Sequence, residues 1–209
     1  MKFILFVEGH TEKEAVGGFL KRWLDPRLTQ RVGVNVVNLR GNRGFQKDIA
    51  DKVRFHLTPP RGGDVIAAIG LLDLYKGAPY PKDKTAVKER YEWGVRHYED
   101  MVDNEKFRMF FAVHETEAWL FSNPAVFHRD IGDLIKKPLR DRPESVNFDK
   151  PPAYRLDELY RQAFERSYKK TTQGRLLFDK LDPETAAGKC PYLKKMLDEL
   201  LALAEKAGC

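Results

Sequence analysis

Residues 64–72 read Asp-Val-Ile-Ala-Ala-Ile-Gly-Leu-Leu, a near-continuous apolar run. A strand with one wet face alternates polar and apolar side chains. A run that does not alternate fits a strand covered on both faces, as in a parallel sheet between helices. This run ends at once in Asp73. Residues 2–7, Lys-Phe-Ile-Leu-Phe-Val, likewise lead straight into Glu8 and Gly9. Residues 107–113, Phe-Arg-Met-Phe-Phe-Ala-Val, lead into His114, Glu115, Thr116 and Glu117. A fourth strand is predicted over residues 33–39, which are rich in valine.

Helices are predicted between these strands. The first runs from Thr11 to about Leu24, with Thr11 as its cap and Glu14 completing a capping box. The second covers about Phe45 to His56, with Ile49, Val53 and Leu57 at helical spacing. The third covers Ala86 to Val102, with Val87, Tyr91, Val95 and Tyr98 on one side. Pro26, the stretch Thr58 to Gly63, and the irregular loop Lys76 to Lys82 are breaks. The fourth strand runs into what reads as the start of a short helix over His114 to Phe121, so strand and helix alternate four times. The prediction is an α/β fold: a mostly parallel central sheet of about four strands, flanked by helices, with right-handed crossovers. After Asn123 and Pro124 no further strand is predicted. Helices are expected at about 124–135, 154–168, 174–181 and 191–207, with a charged loop from Lys137 to Pro152. Residues 1–123 then form the α/β core, and residues 124–209 a helical, basic extension packed on it.

Length and charge narrow the classes. At 209 residues the chain suits one domain, or one domain with an extension. No apolar run approaches the ~20 residues that span a bilayer. The amino-terminal run is too short for a signal peptide, so a cytoplasmic, non-membrane protein is expected. Cys190 and Cys209 lack metal-site spacing and form no disulfide framework; Cys190 reads as a core residue. The formal charge is +6, and residues 136–180 carry 12 Lys and Arg against 7 Asp and Glu. A basic surface of this kind suits a polyanionic partner through phosphate contacts, or is simply a solvated face.

Three predicted strands end in acid: Glu8, then Asp73, then Glu115 with Glu117. In a parallel sheet these ends share one edge, where ligands bind. Carboxylates crowded there repel one another unless a cation lies between them. Hard divalent ions prefer oxygen ligands, so Mg²⁺ or Mn²⁺ is the expected cofactor. Such a site activates water and stabilises a leaving oxygen in phosphodiester cleavage. The competing reading makes each acid a solvated loop residue or a helix cap.

These residues resemble the Toprim domain of topoisomerases, primases and overcoming-lysogenization-defect nucleases. VEGHTE at 7–12 matches its first motif, a Glu-Gly after the first strand. Its second motif, Asp-x-Asp, is matched by Asp73 but not by Tyr75. The fuller resemblance is to a Toprim-like family, domain of unknown function 4276. RGNRGF at 40–45, LLDLYKGAPYP at 71–81, HETEAWLF at 114–121, KKTTQG at 169–174 and GKCPYLKKMLDEL at 188–200 carry it in order. The resemblance implies a Toprim-like fold, a metal-dependent nuclease and a role in phage defence or mobile elements. Carried over by position, Glu8 is the first metal ligand or general acid/base, and Asp73 binds the metal. Glu115 or Glu117 replaces the carboxylate missing at Tyr75, with Glu117 favoured because it lies one turn from His114.

Other features are weaker. His10 beside Glu8 suits proton transfer or is a polar loop residue. Arg40-Gly-Asn-Arg43-Gly can cradle a phosphate, or is a turn needing glycine. Lys169 and Lys170 are candidates for nucleic-acid contact, Lys170 at the scissile phosphate. Trp119, Leu120 and Phe121 read as core, and Tyr192, Leu193, Met196, Leu197, Leu200 and Leu203 mark a docking helix. A second function remains open: a catalytically degenerate Toprim-like scaffold that binds or regulates an ATPase partner, favoured by Tyr75.

Overall fold

The structure, a computed structural model, describes residues 1–74, 80–145 and 150–209, the side chains of His10 and Thr11 excepted. Its sheet contains β1 (Lys2–Val7), β2 (Gly33–Asn38), β3 (Val65–Asp73) and β4 (Phe107–Ala112). The order is β2-β1-β3-β4 and every pairing is parallel. The expected sheet of about four mostly parallel strands is present, and it is parallel throughout. In register, Val7 lies opposite Asn38 on one side and Leu71 on the other, and Asp73 lies opposite Ala112. All four carboxyl ends therefore meet along one edge.

Helices α1 (His10–Leu24), α2 (Asn42–Leu57) and α3 (Val87–Val102) follow the first three strands. Successive strand residues point to opposite faces. Phe3, Leu5 and Val7 of β1, with Ala67, Ile69 and Leu71 of β3, join Val16, Phe19 and Leu20 of α1 in one buried cluster. Ile4, Phe6, Ala68 and Leu72 face the other way, onto Phe45, Ile49 and Val53 of α2 and Tyr91 and Tyr98 of α3. Gly70 belongs to that second face: a Cβ there would meet Met109 Sδ at 2.6 Å and the Phe107 ring at 3.0 Å. A glycine inside a strand makes room for these neighbours.

After β4 come α4 (Ala118–Phe121), α5 (Arg129–Gly132), α6 (Lys137–Asp141), α7 (Pro152–Phe164), α8 (Arg175–Lys180), α9 (Pro183–Ala187) and α10 (Pro191–Lys206). Among the described residues this part holds no strand. It shares the core of the α1 face. Trp119 stacks on Phe19 with ring centroids 5.7 Å apart. Arg22 donates to the Phe178 and Leu181 carbonyls at 2.6 and 3.1 Å, and the Trp23 indole N–H donates to the Leu197 carbonyl at 3.2 Å. Each fully buried aromatic of this kind contributes about 1.5–3 kcal/mol.

Several local expectations are corrected. The first helix does not open at a Thr11 cap: it starts at His10, behind an extended Gly9 that makes no side-chain cap bond. The single helix expected over 124–135 is two short pieces, because Phe127 is extended and the His128 ring accepts from the Asp130 N–H to cap α5. The loop expected from Lys137 contains α6 and a tight turn at Pro143–Ser145. Helix α9 was not expected; Asp182 caps it by accepting from the Thr185 N–H and hydroxyl at 2.9 and 2.7 Å. The predicted loop at Lys76 lies largely outside the described residues, as does Tyr75.

Helix α10 docks through Leu193, Met196, Leu197, Leu200 and Ala204. Its first turn is held by the buried Glu144 carboxylate, which accepts from the Tyr192 and Leu193 N–H groups at 2.8 and 3.1 Å. Burial pushes this carboxyl up from 4.5 to about 7, further than the two donors pull it back. Between those pH values the folded chain holds a proton that the unfolded chain releases. The contribution to stability therefore falls as pH rises through that window. Glu144→Gln should flatten this dependence. Measured by urea denaturation, the variant should gain roughly 2 kcal/mol relative to the parent between about pH 5 and about pH 8. A difference that does not change with pH would contradict the assignment.

Candidate functional site

The sheet edge that collects the strand ends also collects buried charge. Asp73 is the last residue of β3. Its Oδ1 accepts from the Thr116 N–H at 3.1 Å, and its Oδ2 lies 3.8 Å from Lys170 Nζ. Glu117 is wholly buried, and its Oε1 lies 3.1 Å from the same ammonium. Its Oε2 accepts from the Thr116 hydroxyl at 3.4 Å. Glu12, in the first turn of α1, places Oε1 3.0 Å from Lys170 Nζ. Three carboxylates from separate parts of the chain thus surround one ammonium.

Local sequence explains each position. After β4 the chain winds tightly, with the Ala118 N–H donating to Glu115 O and the Trp119 N–H to Thr116 O. The buried α4 residues Trp119, Leu120 and Phe121 anchor that turn, as expected for core residues. Gly9 makes space on the other side: a Cβ there would run into the Glu12 carboxylate. Lys170 opens a π-helical turn, Lys170–Gly174, that leads into α8. The turn is closed by the Gln173 N–H donating to Lys169 O at 2.9 Å and by the Lys169 N–H donating to Gln173 Oε1 at 2.6 Å. Single π-helical turns often occur at functional sites.

Burial first, and then the neighbouring acids, push the Asp73 carboxyl well above the usual carboxylate range, although Lys170 pulls it back. Glu117 is raised for the same reasons. Burial by itself would lower the Lys170 ammonium, but Asp73, Glu117 and Glu12 outweigh it and raise it. One such pair at 3 Å attracts by about 5 kcal/mol at an effective dielectric of about 20. Burying an ion costs several kcal/mol, so the net gain is small, whereas removing one partner costs about 3–5 kcal/mol.

The donor set can be tested against a divalent ion. Three carboxylates offer hard oxygen ligands, which suit Mg²⁺ or Mn²⁺. Ionised together, the three would carry more charge than the single ammonium among them can offset, so the donor set fits a cation of higher charge. In the present arrangement the central place is taken by Lys170. Among the described residues no three His, Cys, Asp or Glu side chains are grouped to hold an ion by themselves.

The structure brings Asp73, Glu117 and Lys170 together and separates other candidates from them. Glu115 is buried and turns aside: its Oε2 accepts from the Ala153 N–H at 2.7 Å and so caps α7. It remains near enough to raise the Asp73 carboxyl. Glu8 follows Val7 on the same sheet edge but serves the other face. Its charge reaches the Tyr98 phenol, which burial chiefly pushes up to about 12, and its carbonyl accepts from the Gly41 N–H. Arg40 and Gly41 both have positive φ, 59° and 93°, which makes the sharp turn into α2. Arg40, Arg43 and Lys169 are exposed. The side chain of His10 lies outside the described residues.

Glu12 is the residue that the sequence reading passed over. One acid in the first turn of a helix looks like ordinary helix-dipole complementarity. The usable signal was Gly9, three residues before it at the start of the helix, a position that leaves room for a side chain folding back.

If Gly9 exists to admit the Glu12 carboxylate, Gly9→Ala should displace it from Lys170 and destabilise the chain by about 1–3 kcal/mol in urea denaturation. In a Glu12→Ala background the same change should be nearly neutral, since coupled residues are not additive. Equal costs in both backgrounds would contradict the coupling.

The solved C-terminal region of the Burkholderia pseudomallei OLD protein is similar at 18% identity, covering 94% of this chain and 95% of that one, with a TM-score of 0.47. The C-terminal region of the Xanthomonas campestris pv. campestris OLD protein is similar at 14% identity, covering 98% and 97%, with a TM-score of 0.43. No curated protein matches the chain. The model of one family, described as "Domain of unknown function (DUF4276)", matches residues 7–201, and the chain belongs to that family.

Proposed function

We propose that the chain is a Mg²⁺- or Mn²⁺-dependent phosphodiesterase that cleaves DNA or RNA, working in phage defence or on mobile elements. One observation carries the reading: Glu12 and Glu117, both buried, and the largely buried Asp73 converge at the carboxyl edge of a parallel sheet. These three would hold the cation; Glu8, on the adjacent strand end, shares the edge but serves the face of α2 and α3. A bound divalent ion supplies charge neutralisation and an activated water at that edge. The chain's own residues supply the rest. The Thr116 N–H and hydroxyl fix the orientation of Asp73 and Glu117. Lys170 offers the nearest positive charge for a scissile phosphate. Arg40, Arg43 and Lys169 are exposed cations suited to the nucleic-acid backbone.

A second reading has its own observation. The carboxylates already have a counter-charge in Lys170. A scaffold that kept this pairing permanently would bind a partner, such as an ATPase, rather than cut nucleic acid.

Cleavage of plasmid DNA and of structured RNA with Mn²⁺ separates the two. Asp73→Asn and Glu12→Gln should each lower cleavage at least ~100-fold while circular dichroism stays unchanged. Cleavage at the parent rate by both variants would overturn the enzymatic reading.

A further inference from the structure

Lys170 takes up the carboxylate oxygens that a cation at this site would use. Its ammonium lies 3.0 Å from Glu12 Oε1 and 3.1 Å from Glu117 Oε1, with Asp73 Oδ2 at 3.8 Å. The remaining oxygens of Asp73 and Glu117 face Thr116. A divalent ion and an ammonium cannot share those same oxygens at contact distance, since like charges repel strongly in a buried setting.

We propose that Lys170 is a tethered counter-cation that holds the carboxylate cluster closed and must swing out before a divalent ion enters. The inference rests on the metal-site reading above. Three features of the surroundings suit such a motion. The Lys170 side chain is 34% exposed while Glu117 is wholly buried, so its route outward is already open. It stands at the start of a π-helical turn whose next residues, Thr171 and Thr172, are exposed. The Tyr168 hydroxyl is buried and has no hydrogen-bond partner among the described residues. It lies near enough to Glu117, Lys170 and Glu12 to feel their charges. A withdrawn lysine would leave it a carboxylate oxygen as acceptor. The consequence is competition: the site pays for its stability without metal by weaker affinity for metal. Phosphate from a nucleic acid, by drawing the freed ammonium to itself, would favour the open arrangement.

Two measurements test this on the full chain. Isothermal titration with MnCl₂ should show Lys170→Met binding at least ~10-fold more tightly than the parent, and Lys170→Arg, which keeps the charge, binding like the parent. Equal Mn²⁺ affinity in the parent and Lys170→Met would overturn the proposal and leave the metal site standing. No Mn²⁺ binding by either would remove the metal site and the proposal with it. The second measurement needs no variant. Amine acylation read by mass spectrometry should rise several-fold at Lys170 when saturating Mn²⁺ is added, with Lys169 as the internal reference. Unchanged labelling of Lys170 in a chain that binds Mn²⁺ would also overturn the proposal.

Discussion

Three carboxylates around one ammonium, two of them buried and the third nearly so, are the constraint on which the rest of the arrangement depends. Like charges cannot be collected in a core without a counter-charge, and here that charge is Lys170. The cluster ties together α1, the end of β3, the turn after β4 and the turn before α8. The parallel sheet makes this meeting possible, because it delivers the ends of β3 and β4 in register, with Asp73 opposite Ala112. The α1 face adds the second restraint: Arg22 and Trp23 bind carbonyls of the carboxyl-terminal helices and hold the segment that carries Lys170 against the sheet.

The two faces of the sheet also divide the acids. Side-chain alternation sends Asp73 to the face of Ile69 and Leu71, where α1 and α8 pack. Glu8 follows Ile4 and Phe6 to the face of α2 and α3, beside Tyr98. Acids on neighbouring strand ends can therefore share an edge and still serve different layers. Glu12 stands on the Asp73 side because it sits a turn into α1, which packs on that face.

The strands were legible because their apolar runs are short, dense and bounded by acid or glycine; β3 shows this most clearly. Helix α10 was legible from the spacing of Leu193, Met196, Leu197 and Leu200. The segment between α4 and α7 was not, since its short helices depend on single caps such as His128 rather than on a long apolar stripe. At the candidate site, Asp73 and Glu117 could be named from strand ends. Glu117 was only slightly favoured over Glu115, because the bond that takes the Glu115 carboxylate away, from the α7 N–H of Ala153, is tertiary. The partnership of Lys170 with Glu12 is purely tertiary: no local pattern links a lysine in KKTTQG to an acid in VEGHTE.

The central claim concerns where one cation sits. Anomalous diffraction from crystals grown with and without Mn²⁺ addresses it directly. The account predicts Lys170 Nζ among Glu12, Asp73 and Glu117 in the metal-free crystal. With Mn²⁺ it predicts one anomalous peak at that position and Lys170 turned away. A peak elsewhere, or Lys170 unmoved beside a bound ion, would contradict it.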